Sequence, residues 1–415
     1  MDLTKKLEIL ADAAKYDASC AVVAPARRTD PAEAVGIAQS YGADGKRIAL
    51  LKILLSNHCV FDCSYCVNRR SSDVPRARFA VPEVVALTLD YHRRGLIDGL
   101  FLSSGVFGGA DETMEQLVAV VRSLRREHHY FGYIHLKTIP GASAELLDEA
   151  GRWADRLSVN VELPRQADLD RLAPEKSLVQ IQRSMDAIKG RIDAAAEEQR
   201  EARVPFAAAR YAPAGQTTQM IVGATDATDA HVLTAASSLY AAQGLRRIYY
   251  SAFVPIPGAP DGLPAVAPST VREQRLYQAD WLLRFYGFDA EELTTPAEPN
   301  LSLALDPKLA WALRNPGRFP VDVNRAPQWE LLRVPGIGAT GVDRILKARR
   351  QRKLALADLK KLRISLRRAE PFIVAADHRP RLLRLGARDV RDRFAPRSRQ
   401  LELFPGAQTA AGGEL

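Results

Sequence analysis

The stretch NHCVFDCSYCVNRR, residues 57–70, places Cys59, Cys63 and Cys66 in a C-x3-C-x2-C spacing. It follows directly on RIALLKILLS, residues 47–56, whose apolar run reads as a buried strand. The three thiols therefore stand in a loop at the C-terminal end of a strand. In α/β barrels that end of the strands carries the active site.

Metal-binding cysteines usually come in fours, because tetrahedral zinc and iron–sulfur clusters take four protein ligands. Three readings of this run of three compete. A zinc site needs a fourth ligand, which Cys20 or His58 could supply. Three incidental buried cysteines are a second reading, and a [4Fe–4S] cluster with three protein ligands and one open iron is the third. The chain holds only four cysteines. Cys20, the remaining one, reads as a buried small residue, and no second all-cysteine cluster or disulfide framework can be built.

Outward from this stretch, short apolar strands alternate with longer amphipathic segments. Strands are predicted over 47–56, 99–104, 132–138, 156–163, 217–223 and 247–254. Helical patterns such as VPEVVALTLDYHRRG and DETMEQLVAVVRSLRREH lie between them. Six strand–helix units predict parallel strands with right-handed crossovers, two short of a full eight-stranded barrel. The expected fold class is α/β, a partial (β/α)6 TIM-like barrel. In SVNVELP, period-2 alternation puts Ser158, Asn160 and Glu162 on one face, where three polar side chains call for a ligand or a polar network. His135 and Lys137 share a face at the end of the third strand.

CVFDCSYC resembles the cysteine signature of the radical S-adenosylmethionine (SAM) superfamily, with Tyr65 as the aromatic before the last cysteine. The resemblance implies a [4Fe–4S] cluster on Cys59, Cys63 and Cys66, with SAM chelating the open iron. It implies reductive cleavage of SAM to a 5′-deoxyadenosyl radical, and an electron donor such as flavodoxin or ferredoxin. It also implies that Ser103, Ser104 and Gly105 stand where the superfamily receives the SAM amino group, although serines replace its Gly-Gly-Glu-like turn. Asn160 and Glu162 fall where ribose and carboxylate bind, and Val254, in SAFVPIPG, falls where the adenine packs.

The net charge of +9 is unevenly placed: residues 301–415 hold 24 Lys and Arg against 11 Asp and Glu, and the first 300 residues hold 34 against 38. A neutral body with a basic appendage suggests a polyanionic partner. Within the appendage, VPGIGATGVDRIL resembles the helix-hairpin-helix motif, with Leu331, Leu332, Val334, Ile337, Val342 and Ile345 as apolar contacts. Gly336 and Gly338 are expected to be needed for positive φ and for close approach. The resemblance implies that Gly336, Ile337, Gly338, Thr340 and Gly341 meet phosphate through backbone N–H groups, with Arg344 and Lys347 behind them. Asn324 belongs to the lead-in, and Arg349, Arg350, Arg352 and Lys353 follow the hairpin. In the polar tail, Gln400, Leu401, Leu403 and Phe404 of RQLELFPG resemble the peptide by which bacterial repair proteins grip the sliding clamp.

The whole chain is similar to a family of radical SAM DNA modification or repair proteins encoded beside uracil-DNA glycosylase-like partners. LADAAKYDASC, NHCVFDCSYCVNRR, APAGQTTQMIVGA and YYSAFVPIP carry the match, together with the hairpin. The expected organisation is a helical lead-in over 1–45, the barrel over 46–300, a linker and small all-α hairpin domain over 301–380, and a basic flexible tail over 381–415. No internal repeat is evident. No stretch of about 18 apolar residues and no signal-peptide core occurs, so a cytoplasmic protein with no membrane partner is expected. The expected activity is a radical SAM reaction on DNA. A radical SAM enzyme of RNA and a non-enzymatic, metal-containing nucleic-acid scaffold are the alternatives.

Overall fold

The computed structural model describes residues 1–15, 35–41, 47–201, 210–256, 258, 260 and 262–380. Cys20 and the tail with Gln400, Leu401, Leu403 and Phe404 lie outside the described residues. The chain forms two compact units, residues 1–227 with 238–268, and residues 228–237 with 269–415. The second unit begins ahead of the expected boundary at residue 300, because the helix Thr270–Tyr286 packs with helices Pro307–Arg314 and Gln328–Arg333.

In chain order the first unit holds α1 (Leu3–Ala14), β1 (Ile37–Tyr41), β2 (Arg47–Leu54), α2 (Val81–Arg93), β3 (Gly99–Ser103), α3 (Ala110–Arg126) and β4 (Tyr133–Lys137). It continues with α4 (Ala144–Trp153), β5 (Arg156–Ser158), α5 (Gln166–Leu172), α6 (Leu178–Glu201), β6 (Gln216–Val222), α7 (Asp229–Gln243), whose first half belongs to the second unit, and β7 (Arg247–Ala252). The strands run β1 to β7 in sequential order. β2 to β7 are mutually parallel and curl into a partial barrel, as the six predicted strands require. β1 adds an antiparallel edge, with Ile37 opposite Leu51; its IAQSY lacks the apolar run that marks the others. All five residues of β3 are buried, as in a parallel strand covered on both faces.

Register aligns Lys52 with Phe101, and Phe101 with His135. Alternation then brings Leu54, Ser103 and Lys137 to the same face two residues further on. β5 is shorter than predicted: it ends at Ser158, and Glu162 takes φ 67°.

The second unit holds α8 (Thr270–Tyr286), α9 (Ala290–Leu293), α10 (Pro307–Arg314), β8 (Val321–Asp322), α11 (Gln328–Arg333), α12 (Ala339–Ala348), α13 (Leu356–Lys361), α14 (Leu366–Ala369) and β9 (Ile373–Val374). Among the described residues its regular structure is helical apart from the parallel pair β8–β9. Its core includes Trp311, edge-on to both Phe288 and Phe319. The turn between α11 and α12 has a counterpart between α13 and α14. Gly336 (φ 81°) and Arg363 (φ 59°) stand at matching places, each followed by a buried isoleucine, Ile337 and Ile364. The sequence shows no repeat here because an arginine occupies the left-handed position that usually marks itself with glycine.

Among the described residues no helix is long and apolar enough to cross a membrane.

Candidate active site

Beyond β2 the chain makes a loop that a single arginine holds together. The Arg76 guanidinium donates to the carbonyls of Asn57 (2.5 Å), Asn68 (2.9 Å), Arg69 (2.7 Å) and Ser72 (2.8 Å). Its planar fork with several fixed donors suits this task, where a lysine would reach fewer acceptors. Asn57 adds a second clamp: its amide donates to the Pro75 carbonyl (2.8 Å) and accepts from the Ala77 N–H (2.8 Å). Asp62 accepts from both the N–H and the hydroxyl of Ser71 (3.0 and 2.8 Å), and these bonds hold its carboxyl below the usual range.

The loop presents Cys59, Cys63 and Cys66 to one cavity of about 180 Å³. Cys63 is buried, and burial pushes its thiol up to about 11; burial also raises Cys66, whose Sγ accepts from the Asn68 N–H at 3.4 Å. The loop after β3 closes against the first. Gly105 donates its N–H to the Ser56 carbonyl (2.7 Å), and a Cβ there would meet the His58 carbonyl oxygen at 2.5 Å. Glycine is thus required by the close approach of the cysteine-bearing backbone.

Opposite the thiols lies a buried polar group. Lys176 donates to Glu162 Oε1 (3.1 Å) and to Tyr65 Oη (3.3 Å), and its ammonium sits 5.8 Å from the Tyr65 ring centroid. Burial alone would pull the lysine down, but the Glu162 carboxylate, the Tyr65 phenol and Cys63 hold it well above its ordinary value. Glu162 owes its place to its left-handed backbone and to two bonds with β6: its N–H donates to the Gln219 carbonyl (3.0 Å) and its carbonyl accepts from Ile221 (2.7 Å). A non-glycine residue in this region costs about 1–3 kcal/mol, and such strain concentrates at functional sites.

Of the residues singled out in the sequence, Tyr65, Ser103, Ser104, Gly105, Asn160, Glu162 and Lys137 line this cavity with the three cysteines. Ser158 is buried outside the lining, and the break after β5 means that strand alternation does not account for Glu162. His135 packs below the cavity, edge-on to Phe101 at 4.7 Å. Val254 stands past β7, 46% exposed and outside the lining. His58 is also outside the lining, so it brings no fourth ligand to the thiols. The residues missed are Lys176, Asn68, Gln219 and Arg76. Lys176 lies in the polar loop LAPEKS, where local pattern offers no sign that its side chain is buried.

The donor set fits an iron–sulfur cluster. Among the described residues no three His, Cys, Asp or Glu side chains converge as ligands of one ion. The thiols instead border a shared volume, as suits a cluster in which each thiolate takes its own iron. Soft thiolates and the adjoining polar wall complete the match.

In the second unit, the six apolar hairpin residues Leu331, Leu332, Val334, Ile337, Val342 and Ile345 are all buried. Only Gly336 takes positive φ; Gly338 is extended (φ −93°) and precedes α12, so the expectation of left-handed backbone fails there. A Cβ on Gly336 would strike Arg368 Cβ at 2.7 Å and the Ser365 carbonyl at 2.9 Å. Thr340 is exposed and Gly341 is buried. Lys347 is exposed beside Asp343 (2.8 Å), whereas Arg344 donates to the Leu362 carbonyl (3.2 Å). Arg349 is structural, donating to the carbonyls of Val323 (3.2 Å) and Ala326 (2.6 Å). Asn324 is too: its amide donates to the Leu354 carbonyl (3.1 Å) and accepts from the Leu354 N–H (2.7 Å).

Residues 53–195 match the family described as the radical SAM superfamily. No curated protein matches the chain. Among solved structures, the FeFe-hydrogenase maturase HydG from Carboxydothermus hydrogenoformans is 15% identical, over 55% of this chain and 50% of that one, with a TM-score of 0.41. Methylornithine synthase (PylB) is 14% identical over 55% of this chain and 60% of that one, with a TM-score of 0.42. The chain thus spans half to three-fifths of these proteins' length. Radical SAM enzymes use a [4Fe–4S] cluster and SAM, and the match covers the cysteine loop, the polar wall and Lys176. The chain carries a radical SAM superfamily domain.

Proposed function

We propose that this protein is a radical SAM enzyme acting on a nucleotide of DNA, in repair or modification. The observation that carries the enzyme reading is the single cavity shared by Cys59, Cys63, Cys66, Ser103, Ser104, Gly105, Asn160 and Glu162. The cysteines would hold the [4Fe–4S] cluster, and the serines, Asn160 and Glu162 would hold SAM. When bound, the pair supplies one-electron reductive cleavage of the sulfonium and, from it, hydrogen-atom abstraction from substrate. The chain's own part is positional. Arg76 and Asn57 hold the thiol loop, Gly105 lets the next loop close on it, and Lys176 orients the Glu162 carboxylate.

The DNA reading is supported by the hairpin α11–α12 and by the basic balance of residues 301–415. Thr340 and Lys347 are exposed at that hairpin, as a phosphate contact needs. The tail peptide of Gln400, Leu401, Leu403 and Phe404 would tether the enzyme to a sliding clamp, and a uracil-DNA glycosylase-like protein would be a further partner. An external one-electron donor is required.

The test is anaerobic incubation of reconstituted protein, SAM and reductant with duplex DNA, single-stranded DNA or RNA. 5′-Deoxyadenosine and altered nucleosides are measured by mass spectrometry. Cys63→Ala should abolish 5′-deoxyadenosine; retention of it would overturn the enzyme reading. Arg344→Glu with Lys347→Glu should weaken duplex binding and lower its salt slope by about 2. Product formed on RNA alone would replace the DNA reading.

A further inference from the structure

The second unit contains a cavity of about 140 Å³ that the proposed chemistry does not use. Its walls are Trp281 and Tyr286 of α8, Lys308 of α10, Gly336 and Ile337 of the hairpin turn, and Ser365 and Arg368 of α14. The lining is mostly apolar, yet charged groups frame it. Lys308 lies within it, donating from Nζ to the Ile337 carbonyl (2.6 Å) and sitting 4.7 Å from the Tyr286 ring centroid. Arg368 pairs with Asp306 beside it.

Three features point to the occupant. The first is aromatic: Trp281 is 37% exposed and forms a tilted pair with the half-exposed Phe285 (centroids 4.5 Å apart), whose ring also carries Arg284 at 4.7 Å. Exposed rings interleaved with arginine are what single-stranded nucleic acid uses as a stacking platform. The second is size. An apolar cavity of about 150 Å³ holds one benzene ring, so this one suits a single six-membered ring. The third is position. Gly336 and Ile337 line the cavity and also form the hairpin turn, and the Ala339 N–H at the start of α12 donates to Tyr286 Oη (3.3 Å). A base here belongs to the nucleotide, or its neighbour, whose phosphate the turn would meet.

We propose that this cavity takes one pyrimidine base from a nucleic-acid strand held by the hairpin α11–α12, with the base ring against Trp281. The proposal rests on the nucleic-acid reading above and adds a base-sized site to a motif otherwise read as a backbone grip. The basic balance of residues 301–415 supplies the charge complementarity for a strand, where a neutral apolar ligand would need none.

The experiment uses the full chain with dT12 and dA12, following binding by anisotropy of labelled strands and by quenching of tryptophan fluorescence. Wild type should prefer dT12 and show quenching. Trp281→Ala should weaken dT12 binding about 5- to 150-fold, the range for loss of a stacking partner, with the salt slope unchanged. Ser365→Leu should block the mouth and give the same loss; that serine is exposed and its hydroxyl caps no helix, so folding should not depend on it. If dT12 affinity and quenching stay within about twofold of wild type in both variants, or the preference for dT12 survives both, the base site is wrong while the nucleic-acid reading stands. If neither oligonucleotide nor duplex DNA binds wild type, both are wrong.

Discussion

The buried contact between Lys176 and Glu162 offers a quantitative test of the cavity's wall. Their side chains are 16% and 10% exposed and meet at 3.1 Å. Lys176→Met removes the cation that meets this mostly buried carboxylate and breaks the pair from one side. Breaking one side of a buried pair costs about 3–5 kcal/mol, and the residual exposure brings this to about 2–4 kcal/mol. Glu162→Gln alone should cost a similar amount, because the ammonium is then stranded. The double variant removes both charges, so its cost should fall short of the summed single costs by about 2 kcal/mol or more. Because the chain has two units, global unfolding is a poor reporter. Hydrogen exchange of peptides covering residues 216–222 is a better one, since Glu162 is bonded to Gln219 and Ile221 there. Costs that add within about 0.5 kcal/mol would refute the claim that the two side chains act as a unit.

Three further outcomes are expected. Gly105→Ala should displace the cysteine-bearing backbone, because its Cβ would lie 2.5 Å from the His58 carbonyl; iron and sulfide after anaerobic reconstitution should fall well below wild type, and full incorporation would contradict the close-approach argument. Arg76→Lys should lose most of four carbonyl contacts, costing about 2–4 kcal/mol, read as faster hydrogen exchange of peptides covering residues 57–77 in the apo chain. Lys308 is held down to about 7 by burial, which Asp306 partly offsets and Arg368 and Arg333 reinforce. Its unfolded value is ordinary, so between pH 7 and about 10 the unfolded chain binds the extra proton. Stability should therefore rise with pH across that window, by up to about 1.4 kcal/mol per unit, with the full penalty present below pH 7. Lys308→Met should flatten that rise, read from the protection of peptides covering residues 307–314 against hydrogen exchange between pH 6 and 9, corrected for intrinsic exchange; an unchanged slope would show that the lysine is not the source.

Much of the first unit was legible because its signals are local. A buried parallel strand reads as a continuous apolar run, and C-x3-C-x2-C lies within eight residues. The core of the α11–α12 segment was legible for the same reason, since its six buried apolar residues all fall within fifteen positions, from Leu331 to Ile345. β1 was not, because two polar residues in five leave no run to detect. Gly338 misled because the sequence cannot tell a glycine that needs positive φ from one that merely precedes a helix.

By itself, then, the sequence determined the parallel strands, the thiol loop at the end of the first of them, and the basic balance and apolar core positions of the C-terminal part. Only the tertiary structure decided which side chains complete the cavity. Lys176 reaches Tyr65 across 111 positions of sequence. Arg76 spends its charge on loop carbonyls, and Arg349 and Asn324 are bound to backbone groups of their own unit. The physical reason is common to all of these. A charged or amide side chain has the same local pattern whether it faces solvent, ligand or a distant carbonyl, and only folding sets which partner comes within hydrogen-bond distance.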